Sequence, residues 1–313
     1  MAYELIQSDC ISWLRQCAPN TFHAVITDPP FALKEFEDAE LEKRANGKGG
    51  VWRIPPSFDG HQRAPSPRFT ILSREEIQEL KTFFFHFAQA LLPALVPGAH
   101  LFIAASTQLS YLVFNALDAA GFERRGEIVR LVRTLRGGDR PKNAEAEFPL
   151  VCVTPRSCWE PWGLFRKPLE GRVQDNLRCW KTGGLRRLSE GTPFLDVIPS
   201  ERTPARERAI AAHPSLKPQS FLRQLAYAAL PLGEGTILDP FCGSGSTLAA
   251  CEALGYDSVG LERRADYVQM AQEAIPKLAA LVVPAFPPPS ACVPAEGEIA
   301  QLAFLLEQRE TYK

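Results

Sequence analysis

The chain has 313 residues, 45% hydrophobic and 23% charged, with a formal net charge of −1. This is an ordinary globular composition, enough for one large or two ordinary domains, and it excludes a strongly basic protein. No run of about 18 apolar residues offers a membrane span. The N-terminal MAYELIQSDC lacks the basic start and apolar stretch of a signal peptide, so a cytoplasmic protein is expected.

Tyr3 to Ile6 reads as a strand ending at Ser8-Asp9, and Cys10 to Cys17 as a short helix. Phe22 to Ile26 is apolar on both faces, as a central parallel strand should be, and runs into Asp28-Pro29-Pro30-Phe31. Lys34 to Thr70 is polar and aperiodic, a candidate lid or a disordered loop. Ser73 and Glu76 have capping-box spacing and open a helix to about Leu92, ended by Pro93 to Gly98. Strands follow at His100 to Ala104 and Glu127 to Val132, around a helix at Leu109 to Ala120; Phe148 to Thr154 is a further candidate strand.

From about Arg133 to Ala212 the alternation loosens into Gly, Trp, Arg and Pro, which suggests an insertion or second domain. Residues 123–208 carry 18 Lys/Arg against 12 Asp/Glu, a local +6 on an acidic remainder that hints at a polyanion partner. Regularity returns with a helix at Ser220 to Leu230, a strand at 235–239, a helix at Ser246 to Leu254, a strand at Asp257 to Glu262 and a helix at Ala265 to Leu281. Pro284 to Pro294 reads as a linker, and Glu298 to Gln308 as a small amphipathic helix. Strands alternating with helices predict an open, mostly parallel α/β sheet.

The eight cysteines form no C-x-x-C pair and have no histidine cluster beside them, so neither a metal site nor a disulfide framework is expected. The richest stretch is TILDPFCGSGSTLAACEALGYDSVGLE, residues 236–262. A strand ends in Asp239, the loop Gly243-Ser244-Gly245 opens a helix, and the next strand ends in Glu262. Glycines let backbone approach a ligand, and an acid ending the second strand is the usual acceptor for ribose hydroxyls. No lysine precedes Ser246-Thr247, which argues against a P-loop, and the third glycine of a dinucleotide loop is replaced by Leu248. A carboxylate at Asp239 repels phosphate and suits an amine-bearing ligand, so S-adenosylmethionine fits best.

Asp28-Pro-Pro-Phe31 together with Asp239-Pro-Phe-x-Gly-Ser-Gly245 resembles the exocyclic-amine DNA methyltransferases that make N6-methyladenine or N4-methylcytosine. The order, with the Asp-Pro-Pro motif first and the cofactor motif last, is similar to that family's β group. His213-Pro-x-x-Lys217-Pro218 stands where the family carries the same pattern. The resemblance covers about residues 1–281 and implies a doubly wound, Rossmann-like sheet with circularly permuted motifs. It divides the chain into a catalytic half (1–132), a target-recognition region (133–212), a cofactor half (213–283) and a tail (284–313). Wrapped in that order, the four acids Asp9, Asp28, Asp239 and Glu262 should share the carboxyl edge of one sheet, where such sheets bind ligands.

Asp28 and the Pro29 carbonyl would then accept the hydrogens of an amino group and localise its lone pair, Pro30 would fix the turn, and Phe31 would stack on a flipped base. By the same resemblance Glu262 takes the ribose, and Asp9 with Cys10 lies near the cofactor's adenine. Phe241, Gly243, Ser244 and Gly245 line its methionine end, and Lys217 binds its carboxylate, helped by Ser220 or Thr247. His213 reads as a local hydrogen-bonding residue. Arg124, Arg125, Arg130, Arg133, Arg136 and Arg140 are candidate phosphate contacts, and Trp159 and Trp162 read as core.

With no Pro-Cys dipeptide, C5-cytosine chemistry through a thiolate is excluded. Asp28 in place of serine favours N6-adenine over N4-cytosine. A DNA-binding protein with a vestigial site, and an amine methyltransferase acting on RNA or on protein glutamine, are the competing readings. The expected partner is double-stranded DNA; a homodimer and a cognate restriction enzyme are further possibilities that the residues leave open.

Overall fold

A computed structural model describes residues 3–33, 72–132, 140–141 and 143–283, with the backbone of 57–58 and 61–62. The expected linker and C-terminal helix lie outside the described residues, as does the expected lid apart from a two-residue hairpin, β3 (Ser57–Phe58) and β4 (His61–Gln62).

One eight-stranded sheet organises the rest. Its first five strands are parallel: β1 (Tyr3–Gln7), β10 (Asp257–Glu262), β9 (Thr236–Asp239), β2 (Phe22–Thr27) and β5 (Leu95–Ala104), in that spatial order. Then come β7 (Trp159–Arg166), antiparallel to both neighbours, β6 (Glu123–Leu131) and β8 (Val197–Pro199). The chain direction reverses its spatial progress between β9 and β2, so their carboxyl ends form a topological switch point, the place where open α/β sheets take ligands. Wholly buried β2 and β5 residues such as Val25, Ile26 and Phe102 show why these strands read as unbroken apolar runs: both sheet faces are covered.

On one face α1 (Cys10–Leu14), α2 (Arg74–Ala94) and α3 (Ser110–Ala119) pack with Phe84, Phe87, Leu91 and Phe114 into the largest core cluster. On the other, α6 (Gln219–Ala229) and α7 (Ser246–Ala253) close over Ile26, Phe102, Trp162 and Ile237. The helix α8 (Ala265–Ala279) packs against α7 and β1. Two short helices, α4 (Val173–Trp180) and α5 (Ala205–Ile210), lie in the loosely patterned region.

The expected boundaries hold closely for β1, β2, β9, β10 and α7. The Ser73–Glu76 capping box forms in both directions: Glu76 N donates to Ser73 Oγ, and Ser73 N to the Glu76 carboxylate. Three expectations are corrected. The helix α2 runs through Pro93, which falls in its last turn, and β5 begins at once at Leu95 rather than at His100. No strand forms over 148–154, where Leu150 is 99% exposed. The strand in that region is β7, inside the supposed insertion and wedged between β5 and β6. Pro161 disguises it: proline demotes a run that otherwise reads as a strand. It is tolerated because it lies one residue beyond the last β5 pair, Ala104 with Trp162.

Candidate functional site

The four acids expected at one sheet edge all stand at the carboxyl ends of adjacent strands β1, β10, β9 and β2. Asp9 is the N-cap of α1 and accepts from Ser12 N at 2.9 Å. Next to it the Cys10 thiol is buried and pushed up to about 12, by burial first and then by Asp9, so it stays a protonated packing group.

The glycine loop is a tight connection. Gly245 N donates to Cys242 O at 2.7 Å, and Gly245, at φ 79°, is the N-cap of α7. A side chain there would put its Cβ 2.5 Å from Ile275 Cγ1 on α8, so only glycine lets helix and loop approach this closely. Glu262 fastens the loop from the next strand: its carboxylate accepts from Gly243 N at 3.0 Å and from Arg264 N at 2.8 Å. The Ser244 hydroxyl is buried with no hydrogen-bond partner among the described residues. His213 lies against Gly243 and meets Tyr267 edge-on at 4.5 Å, while its Nδ1 accepts from Ser215 N.

Asp239 is buried beneath this loop. It accepts from Thr27 Oγ1 at 2.7 Å and from Phe241 N at 3.1 Å, and it also bonds Thr247. Burial raises its titration to about 6, against the pull of those hydrogen bonds, and Asp28 pushes it further up. These internal bonds join β2, β9 and α7. Phe241 packs on Phe87 and Phe83 of α2, at 5.4 and 6.3 Å between ring centres. Beside it an open groove of about 760 Å³ is lined by Ile11, Leu33, Thr82, Phe83 and His86 among others.

Asp28 leaves the end of β2 next to this loop. Lys217 Nζ donates to its Oδ2 at 2.5 Å. Its Oδ1 is buried and has no hydrogen-bond partner among the described residues. The Phe31 ring stands 6.0 Å from the same ammonium. Directly after it, Ala32 and Leu33 both hold positive φ, 59° and 57°. Such a conformation costs non-glycine residues of order 1–3 kcal/mol each and clusters at functional sites.

Lys217, expected to bind the cofactor's carboxylate, is held on Asp28. A second carboxylate, Glu160 of β7, lies 3.6 Å from Lys217 Nζ. Glu160 also accepts from Trp162 Nε1 at 2.9 Å and lies 3.4 Å from Arg130 Nη1. Arg130, expected to face phosphates, is buried: its guanidinium donates to Ser200 Oγ and Glu201 O. Burial pushes Asp28 up; Lys217 pulls it back, and the Glu160 charge opposes that pull. Burial also penalises Glu160, but Lys217 and Arg130 together outweigh it and hold it low.

Of the tryptophans read as core, Trp162 is wholly buried and packs edge-on against Phe221, whereas Trp159 remains 38% exposed. Arg124 pairs with Glu127, Arg125 is exposed, and Arg133 and Arg136 lie outside the described residues. Sequence reasoning missed Glu160. It lies in a proline-containing stretch with no local signature, and its charged partners Arg130 and Lys217 are distant in the chain. Among the described residues no group of three or more His, Cys, Asp or Glu could hold a metal ion, and no helix is long and apolar enough to cross a membrane.

A Rossmann-like sheet with a glycine loop and an acid-proline-proline turn at its switch point defines the methyltransferase class. The chain belongs to the DNA methylase family of the N6 and N4 type, whose model matches residues 22–273. It is 24% identical over 271 residues to the type II methyltransferase M2.DpnII of Streptococcus pneumoniae, covering 87% of this chain and 88% of that protein. In fold it is similar to M1.HpyAVI in its complex with SAM, with a TM-score of 0.52, 15% identity and coverage of 87% of this chain and 98% of that one. It is also similar to the cytosine-N4-specific PvuII DNA methyltransferase, with a TM-score of 0.56, 13% identity and coverage of 87% and 88%.

Proposed function

We propose that the chain transfers a methyl group from S-adenosylmethionine to the exocyclic N6 of an adenine in double-stranded DNA. One observation carries the reading: the divided Asp28 carboxylate. Its Oδ2 is held by Lys217, and its buried Oδ1 lacks a partner among the described residues. An unsatisfied buried acceptor costs about 1–3 kcal/mol, and an amine N–H would relieve that cost.

The residues present fit the cofactor. Glu262 offers a carboxylate at the end of β10, fixed by Gly243 N and Arg264 N, for ribose hydroxyls. The buried Ser244 hydroxyl and the backbone of Gly243 and Gly245 serve the methionine end, with Phe241 as its apolar wall. Asp9 and Cys10 adjoin the groove through Ile11. Asp239 and Thr247 brace this site from beneath. When bound, S-adenosylmethionine supplies an electrophilic methyl group.

The chain's own part is to bind and orient. An adenine amino group is a poor nucleophile because its lone pair is delocalised into the ring. Asp28 Oδ1 and the Pro29 carbonyl would accept its two hydrogens, localise the lone pair and stabilise the positive charge that develops on nitrogen. Pro29-Pro30 holds the turn in place beforehand. Phe31 gives the extruded base a face to stack on. The target-recognition role falls to the part of 133–212 outside β7, where Arg172, Arg178, Arg187, Arg206 and Arg208 are exposed. A cognate restriction enzyme and a second copy of the chain are proposed partners.

The deciding experiment incubates the protein with radiolabelled S-adenosylmethionine and unmethylated genomic DNA, then separates the nucleosides. Label in N6-methyladenine is expected. Label in N4-methylcytosine would keep the mechanism and change the base, and faster labelling of RNA or peptide would replace DNA as substrate.

A further inference from the structure

The geometry points to Glu160 as a positioning residue for the Asp28–Lys217 pair: it holds the Lys217 ammonium on Asp28 Oδ2 and so leaves Oδ1 open to the substrate amine. This rests on the reading of Asp28 as the amine acceptor. Lysine is a point charge on a flexible stem, with three donors that can turn to any neighbouring acceptor. Something must stop it from straddling both oxygens of Asp28. Glu160 Oε2 lies 3.6 Å from Nζ and draws the ammonium toward β7.

Glu160 is itself held. Its Oε1 accepts from the indole of Trp162, a wholly buried side chain, and lies within reach of Arg130 Nη1. Arg130 is fixed in turn by Ser200 Oγ and Glu201 O, just past β8, and its guanidinium covers the Phe221 ring at 5.3 Å. The polar chain therefore runs from the segment after β8, through the antiparallel pair β6 and β7, to the end of β2. All four charged side chains are at most 17% exposed, so their interactions are weakly screened.

The charged groups facing Asp28 are Lys217, Glu160, Arg130 and Asp239. Their opposing effects give the test a sign. Removing the Glu160 charge while Lys217 stays in place would lower the Asp28 titration, because a like charge is gone. Letting Lys217 straddle both oxygens would lower it as well, because the cation then covers Oδ1 too. Positioning therefore predicts a lower midpoint together with slower transfer, whereas a purely electrostatic role lowers the midpoint without slowing transfer.

The test follows the Asp28 carboxyl by NMR with carbon-13-labelled aspartate, in the full chain and in Glu160→Gln and Glu160→Asp. The aspartate variant keeps the charge and withdraws it by one methylene, which separates position from charge; thermal melts establish that each variant is folded. The Asp28 midpoint should fall in both variants. Single-turnover methyl transfer at neutral pH should fall about tenfold, with affinity for S-adenosylmethionine unchanged. A midpoint that rises or stays put in Glu160→Asp would overturn the inference, as would transfer within about twofold of the parent. If the midpoints fall but the parent protein methylates no DNA, the proposed function fails while the hold of Glu160 on the pair stands.

Discussion

Lys217 Nζ lies 2.5 Å from Asp28 Oδ2, although 189 positions separate the two residues in the chain. The contact joins the start of α6 to the end of β2 and neutralises a carboxylate that burial alone would push up. Lys217→Met removes that cation and leaves Asp28 and Glu160 as two buried carboxylates without it. Asp28 then titrates higher, and since it must be ionised to accept an amine hydrogen, activity on the acid side is lost at higher pH. We expect kcat at neutral pH to fall at least about tenfold and the acidic limb of the pH–rate profile to move upward. An unmoved limb in single-turnover assays would show that the pair does not govern Asp28.

Asp28→Ala deletes both the acceptor and the charge beside the reacting nitrogen. Loss of one preorganised electrostatic contact of this kind costs about 10²–10³ in kcat, and here the loss should reach the upper end. Binding of S-adenosylmethionine, measured by calorimetry, should change by less than about threefold, because Glu262 and the glycine loop are untouched. Retained methyl transfer would mean that another group accepts the amine.

For Glu262→Ala the pattern reverses. The carboxylate is lost both as a ribose acceptor and as the brace on Gly243 N and Arg264 N. Affinity for S-adenosylmethionine should weaken by tenfold or more, about 1.4 kcal/mol. The rate at saturating cofactor should change far less. An unchanged dissociation constant would remove Glu262 from the site.

Gly245→Ala tests the packing behind the loop. Its φ of 79° disfavours alanine, and the new Cβ would start 2.5 Å from Ile275 Cγ1. Strain and overpacking together should cost about 2–4 kcal/mol. The melting temperature should drop by about 5 °C or more. A melt matching the parent would show that α8 can retreat without penalty.

Asp239 carries a stability signature in pH. Its folded value of about 6 lies above the ordinary carboxylate range, so the folded protein binds this proton more tightly than the unfolded chain. The contribution is fully present below pH about 4 and is lost as pH rises through about 6. Asp239→Asn keeps an acceptor for Thr27 and Phe241 N and cannot ionise. Denaturant midpoints of parent and variant, compared from pH 4 to 7, should therefore diverge, with the parent losing ground as pH rises. Parallel curves would place the Asp239 titration outside that window.

Much of the site was legible in the chain because it is built from local chemistry. A strand running into Gly243-Ser244-Gly245 and then a helix has few other conformations. Ser73 and Glu76 cap α2 from within one turn, and Asp28-Pro-Pro-Phe31 ends a strand whatever surrounds it. Motif order also placed the four acids at one carboxyl edge, since a doubly wound sheet admits few arrangements. The tertiary structure decided where long side chains end. Lys217 meets Asp28, Arg130 turns inward to Glu160 and Ser200, and the proline-broken run 159–166 becomes an interior strand. A charge on a flexible stem takes whichever partner the sheet register brings within a few ångströms, and that register is set by pairings across the whole fold, beyond the reach of any local window.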